Sequence, residues 1–131
     1  MTLLTLALLI FGWGAPATWP QTDAANVARR WTEAFSAGEP AMHAFLAREV
    51  TAEGLAQRSM DDRLEIYRKN RRRFGTLKLA SVTRSEPAEL EVELKASDGS
   101  EHTFVFNVQP APPHKLLTVK MVEKHSLFHH G

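Results

Sequence analysis

The stretch RKNRRR, Arg68 to Arg73, places five basic side chains in six positions. Cations at this density suit two kinds of chemistry. They can grip phosphate oxygens along a nucleic-acid backbone, or an arginine fork can hold the carboxylate of a ligand. A helical wheel at about 100° per residue separates these residues. Arg68, Lys69, Arg72 and Arg73 point away from the apolar face formed by Met60, Leu64, Tyr67 and Phe74, and Ile66 lies on the flank of that face. Asp61, Asp62 and Glu65 precede the cations on the outer side, so acids begin the helix and bases end it, which complements the helix dipole. Glu65 and Lys69 form an i,i+4 pair worth ~0.3–0.5 kcal/mol. Most of the run therefore reads as a solvated helix end. Nucleic acid is not an expected partner: the net charge is only +1 and no aromatic platform interleaves the bases.

Arg71 is different. It falls about 20° from Met60 on the wheel, between Leu64 and Tyr67 on the apolar side. A guanidinium there must be paired, wet or bound to an anion, because burying it bare is very costly. Arg63 and Asn70 edge the same face. No inward-facing acid stands out in the strands that follow, so Arg71→Met is expected to keep or slightly raise stability.

Other chemistries find little support. There is no cysteine, which excludes disulfides, thiol catalysis and cysteine-ligated zinc. The six histidines, His43, His102, His114, His125, His129 and His130, include no HExxH spacing, so no metal site and no cofactor are expected. Ser59, Ser81, Ser97 and Ser126 lack a GxSxG setting. Asp98 lies in a turn, and Glu89, Glu91 and Glu93 alternate out of phase with the core residues, so no general base is apparent.

The elements that position these residues follow from periodicity. Thr22 or Asp23 can cap a first helix whose Val27, Trp31 and Phe35 recur every four residues; Gly38 ends it, and Pro40 opens a short second helix with Met42, Phe45 and Leu46. Residues 51–58 read as a turn or a short extra helix. Ser59 with Asp62 resembles a capping box for the long helix, which Gly75 stops. From Thr76 the period becomes two. TLKLASV, ELEVELKA, HTFVFNV and KLLTVKMV read as four strands, with Leu117, Val119 and Met121 sharing one face of the last. SDGS is a tight hairpin. The expected fold class is α+β, three N-terminal helices packed on a four-stranded antiparallel sheet with one wet face.

The chain opens with an apolar, uncharged run from Leu3 to Trp13, followed by Ala15 and Ala17 in an AxA arrangement. The run is too short to span a bilayer and fits a secretory signal peptide, 1–17, cleaved after Ala17. A single domain over 18–124 and a flexible tail over 125–131 follow. The expected location is secreted or periplasmic, with no membrane span after processing.

RRWTEAFSAGEPAMHAFLA resembles the opening of the nuclear transport factor 2-like, cystatin-like superfamily, in which a helix ends in a W-x-x-A-F-x-x-G-[DE] phrase. GTLKLASVTRSEPAELEVELKASDGSEHTFVFNV is similar to the strand meander of small exported bacterial domains of that group. These often precede serine-hydrolase or tail-specific-peptidase domains. The resemblance spans about Asp23 to Glu123. It implies a strongly curved, cone-shaped sheet and a cavity facing the inner side of the long helix. Arg71, Tyr67, Arg63, Asn70 and Trp31 would then be ligand-binding residues, with Arg71 anchoring the acidic head of a small apolar ligand and no catalytic residue assigned. Trp31 and Tyr67 could equally be core aromatics. A homodimer through the sheet and an exported hydrolase are the partners the resemblance implies. An isomerase or dehydratase in the same cavity is the alternative function, with Tyr67 as oxyanion donor.

Overall fold

The computed structural model describes residues 17–123. Apart from Ala17, the expected leader, and with it the cleavage event, lies outside the described residues, as does the 125–131 tail with His125, His129 and His130. Four helices precede the sheet: α1 (Asp23–Ala37), α2 (Glu39–Glu49), α3 (Ala52–Gln57) and α4 (Met60–Phe74). The expectation of three is corrected by α3. Thr51 nucleates it, its hydroxyl accepting from the backbone N–H of Gly54 at 2.9 Å. Thr22 caps α1 in the same way through Ala25, and Ser59 caps α4 through Asp62. No helix among the described residues is long and apolar enough to cross a membrane.

Strands β1 (Leu77–Ser85), β2 (Glu89–Ala96), β3 (Glu101–Val108) and β4 (Leu116–Val122) form one antiparallel meander in sequence order. Alternation in β2 is strict. Leu90, Val92 and Leu94 are fully buried, whereas Glu89, Glu91, Glu93 and Lys95 face outward and are half-buried. Each buried aliphatic side chain contributes about 1.5–3 kcal/mol. In β4 the simple alternation fails. A register shift beside Asn107 and Val108 pairs Val108 with Leu116, so Leu116 is buried and Leu117 is half-exposed at 51%. The inward row is thus Leu116, Val119 and Met121, not the one that began at Leu117.

The core lies between α1, α2 and the inner sheet face. Trp31 sits at its centre, its ring centroid 5.3 Å from those of both Phe35 and Phe106 and 5.8 Å from that of Phe104. Gly75 joins α4 to β1 with φ +75°, a conformation that side chains rarely adopt, and an added Cβ would lie 2.8 Å from the Cβ of Ser97. The β2–β3 hairpin can therefore dock on the end of α4, where the N–H of Ser97 donates to the carbonyl of Phe74 at 2.9 Å.

Candidate functional site

The inner face of α4 carries a long polar side chain once per turn, at positions 63, 67 and 71. Each reaches backbone carbonyls at the end of another helix. The last carbonyls of a helix have no intrahelical partner, and burial makes that costly. In α1, the Tyr67 hydroxyl donates to the carbonyl of Phe35 at 3.0 Å, and Arg71 Nη2 donates to the carbonyl of Ser36 at 3.3 Å. Arg71 Nη1 also donates to the carbonyl of Gly75 at 2.7 Å, closing the end of its own helix. Its Nε is buried without a partner among the described residues. Arg63 serves α3: Nε donates to the carbonyl of Arg58 and Nη2 to that of Gly54, both at 2.9 Å.

These contacts leave a groove of about 510 Å³ between α4 and the edge strand β4. Arg63, Ile66, Tyr67 and Asn70 form one wall, and Leu116 through Met121 the other. Trp31, Phe35, Met42, Leu46 and Phe104 give an apolar floor, and Gln57 and Arg58 contribute from the end of α3. Arg58, Arg63 and Lys120 bring positive charge to the lining, which contains no Asp or Glu. Arg63 is held below its usual pKa, first by burial and then by the neighbouring charge of Arg58. A concave apolar site of this size with a few polar groups has the general form of a ligand pocket.

The structure therefore brings Trp31, Arg63, Tyr67 and Asn70 together around one cavity. Arg71 does not line it. Its backbone lies on the inner face of α4, as the helical wheel predicts, but its side chain bonds the carbonyls of Gly75 and Ser36. Residues 58 and 120 were not singled out from sequence. Arg58 precedes a helix whose partners only tertiary packing reveals, and Lys120 belongs to the outward phase of β4, so period-two reasoning sends it to solvent. The remaining cations of the run behave as dipole-matched surface charges, and Arg73 also reaches Glu123 at 4.0 Å. Arg68 forks onto Glu39 at 2.8 and 2.9 Å, raising its own pKa and lowering that of Glu39. Arg73 lies 4.7 Å above the Phe74 ring.

Catalytic arrangements are sparse. The Tyr67 hydroxyl is committed to Phe35, and no carboxylate lines the groove to act as a base. On the β2–β3 hairpin, Ser100 Oγ lies 2.9 Å from His102 Nε2 and 2.6 Å from Asp98 Oδ1. The acid contacts the serine rather than the imidazole, so it orients no base, and the group sits exposed on a turn. Among the described residues no cluster of three or more His, Asp or Glu could hold a metal ion. In comparisons with known proteins, no protein-family model, no curated protein and no solved structure matches the chain.

Proposed function

We propose that the chain is a non-catalytic binding domain of the nuclear transport factor 2-like, cone-shaped type, exported to the periplasm or beyond, that takes up a small apolar or acidic ligand. The observation that carries this reading is the groove itself: an apolar aromatic floor with Arg58, Arg63 and Lys120 in its lining and no acid. The element order of helices followed by an antiparallel meander suits that fold type, and the register shifts in β1 and between β3 and β4 favour a bent sheet. Binding is preferred to isomerase or dehydratase chemistry because Tyr67 already donates to a backbone carbonyl and no carboxylate faces it across the groove. An exported hydrolase and a second copy meeting through the sheet remain the partners proposed on resemblance alone.

The test is native mass spectrometry of the purified protein, followed by titration with an environment-sensitive apolar dye. A retained small molecule, or saturable dye binding lost on Trp31→Ala, is the expected result. Because truncating a core aromatic costs ~3–5 kcal/mol, Ile66→Asp, at a half-exposed groove position, serves as the second variant. No retained molecule and no saturable dye binding to the folded wild type overturns the reading.

A further inference from the structure

Arg63 is an arginine fixed in place but not neutralised. Its side-on donors, Nε and Nη2, are held by the carbonyls of Arg58 and Gly54 at 2.9 Å each. Those bonds set the plane of the guanidinium. The opposite edge, Nη1 with the second proton of Nη2, donates to no described protein group. Arg63 forms no ion pair among the described residues, and neither do Arg58 and Lys120 in the same lining. Every Asp and Glu of the sequence falls between Asp23 and Glu123, within the described residues, and none lines the groove.

We propose that the free edge of Arg63 seats the carboxylate of a single-chain amphiphile whose apolar tail lies along the groove toward Trp31. The proposal rests on the binding role above and gives that role a ligand class and an orientation. A planar two-donor edge matches a carboxylate in a bidentate pair. The side chain is already ordered by its two carbonyl contacts, so seating the anion costs little further rotamer entropy. Burial and Arg58 both disfavour the charged form of Arg63, and an incoming carboxylate offsets both. The tail meets Trp31, Met42 and Leu46, none of which carries a charge. Arg63 could serve solely to cap α3, and the test separates that role from ligand binding.

Isothermal titration calorimetry at low ionic strength compares decanoate, decanol and acetate on the wild type, Arg63→Met and Lys120→Gln. The expected result is that decanoate binds roughly tenfold or more tightly than decanol, the ratio that corresponds to about 1.4 kcal/mol. Acetate binds weakest, and the preference for decanoate over decanol shrinks with added salt. Arg63→Met brings the two ten-carbon ligands to similar affinity. Lys120→Gln, at a residue that makes no described side-chain bond, narrows the ratio severalfold. If Arg63→Met does not fold, Lys120→Gln and the salt dependence decide. Equal binding of decanoate and decanol to the wild type, or a ratio that survives in the folded variants, overturns the carboxylate seat and leaves the groove as an apolar site. Failure of both ten-carbon ligands and of the apolar dye overturns the binding role itself.

Discussion

Arg71→Met tests whether the inner arginine is a ligand anchor or a helix tie. From sequence alone the substitution is expected to be neutral or stabilising, because a costly buried cation is replaced by an apolar chain. The geometry reverses that sign. Arg71 Nη1 donates to the carbonyl of Gly75 at 2.7 Å, a short charge-assisted bond, and Nη2 reaches the carbonyl of Ser36 at 3.3 Å. Hydrogen bonds from charged groups contribute about 1.5–3 kcal/mol each. The side chain is half-buried, so the short bond belongs at the lower end of that range and the long one below it. A cation at the ends of α1 and α4 adds ~0.3–1 kcal/mol through their dipoles. Against this, the variant relieves the unpartnered Nε, worth about 1 kcal/mol. The net is a loss of about 1.5 kcal/mol, or roughly 6 °C in Tm for a domain of this size. Circular-dichroism melts and urea titration read it. Arg71→Lys, which keeps the charge and loses the fork, falls between the two. A decanoate titration should read the same for both variants as for the wild type, because Arg71 does not line the groove. An unchanged or raised Tm for Arg71→Met would refute the helix-tie reading, and lost ligand binding in a folded variant would return Arg71 to the site.

Gly75→Ala is expected to lose ~3 kcal/mol or more in urea, since a side chain at φ +75° is strained and its Cβ meets Ser97; a loss below about 1 kcal/mol would mean that the hairpin moves aside freely. Changing Arg72 and Arg73 together to Gln should cost at most about 1 kcal/mol in the same assay, because both are exposed and their contacts are screened. The Glu39–Arg68 pair gives a pH signature. The Arg68 bond holds the Glu39 carboxyl below its ordinary value of 4.5, so its contribution is present above that pH and is lost as the pH falls through the lower folded value. Glu39→Gln should therefore flatten the acid limb of the stability curve without moving the alkaline one, and an unaltered acid limb would show that the pair is solvated away.

Much of the fold is written locally. Thr22, Thr51 and Ser59 each place a hydroxyl over the start of a helix, and Gly38 and Gly75 both take positive φ at helix ends. These effects act over four residues and need no partner, so the sequence alone sets where α1, α3 and α4 begin and where α1 and α4 end. Strict alternation does the same for β2, because one face must enter the core. The alternation misleads in β4, where a register shift against β3 brings Leu116 inward and turns Leu117 out; a bulge is a property of two paired strands and leaves little mark in either one.

The inner face of α4 was equally legible, and the wheel brought Arg63, Tyr67 and Arg71 to the same side. What each does there depends on distance to groups remote in sequence. Phe35 and Ser36 leave unpaired carbonyls at the end of α1, and only the crossing of α1 by α4 decides that Tyr67 and Arg71 meet them. Arg63, one turn from Tyr67, finds the end of α3 instead and keeps a free edge beside an apolar floor. The sequence determined which residues share a face, because helical period is local. The tertiary structure decided which carbonyls each of those cations ties and that only Arg63 of the two also lines the groove, because a long side chain bonds whichever carbonyl the packing brings within its reach.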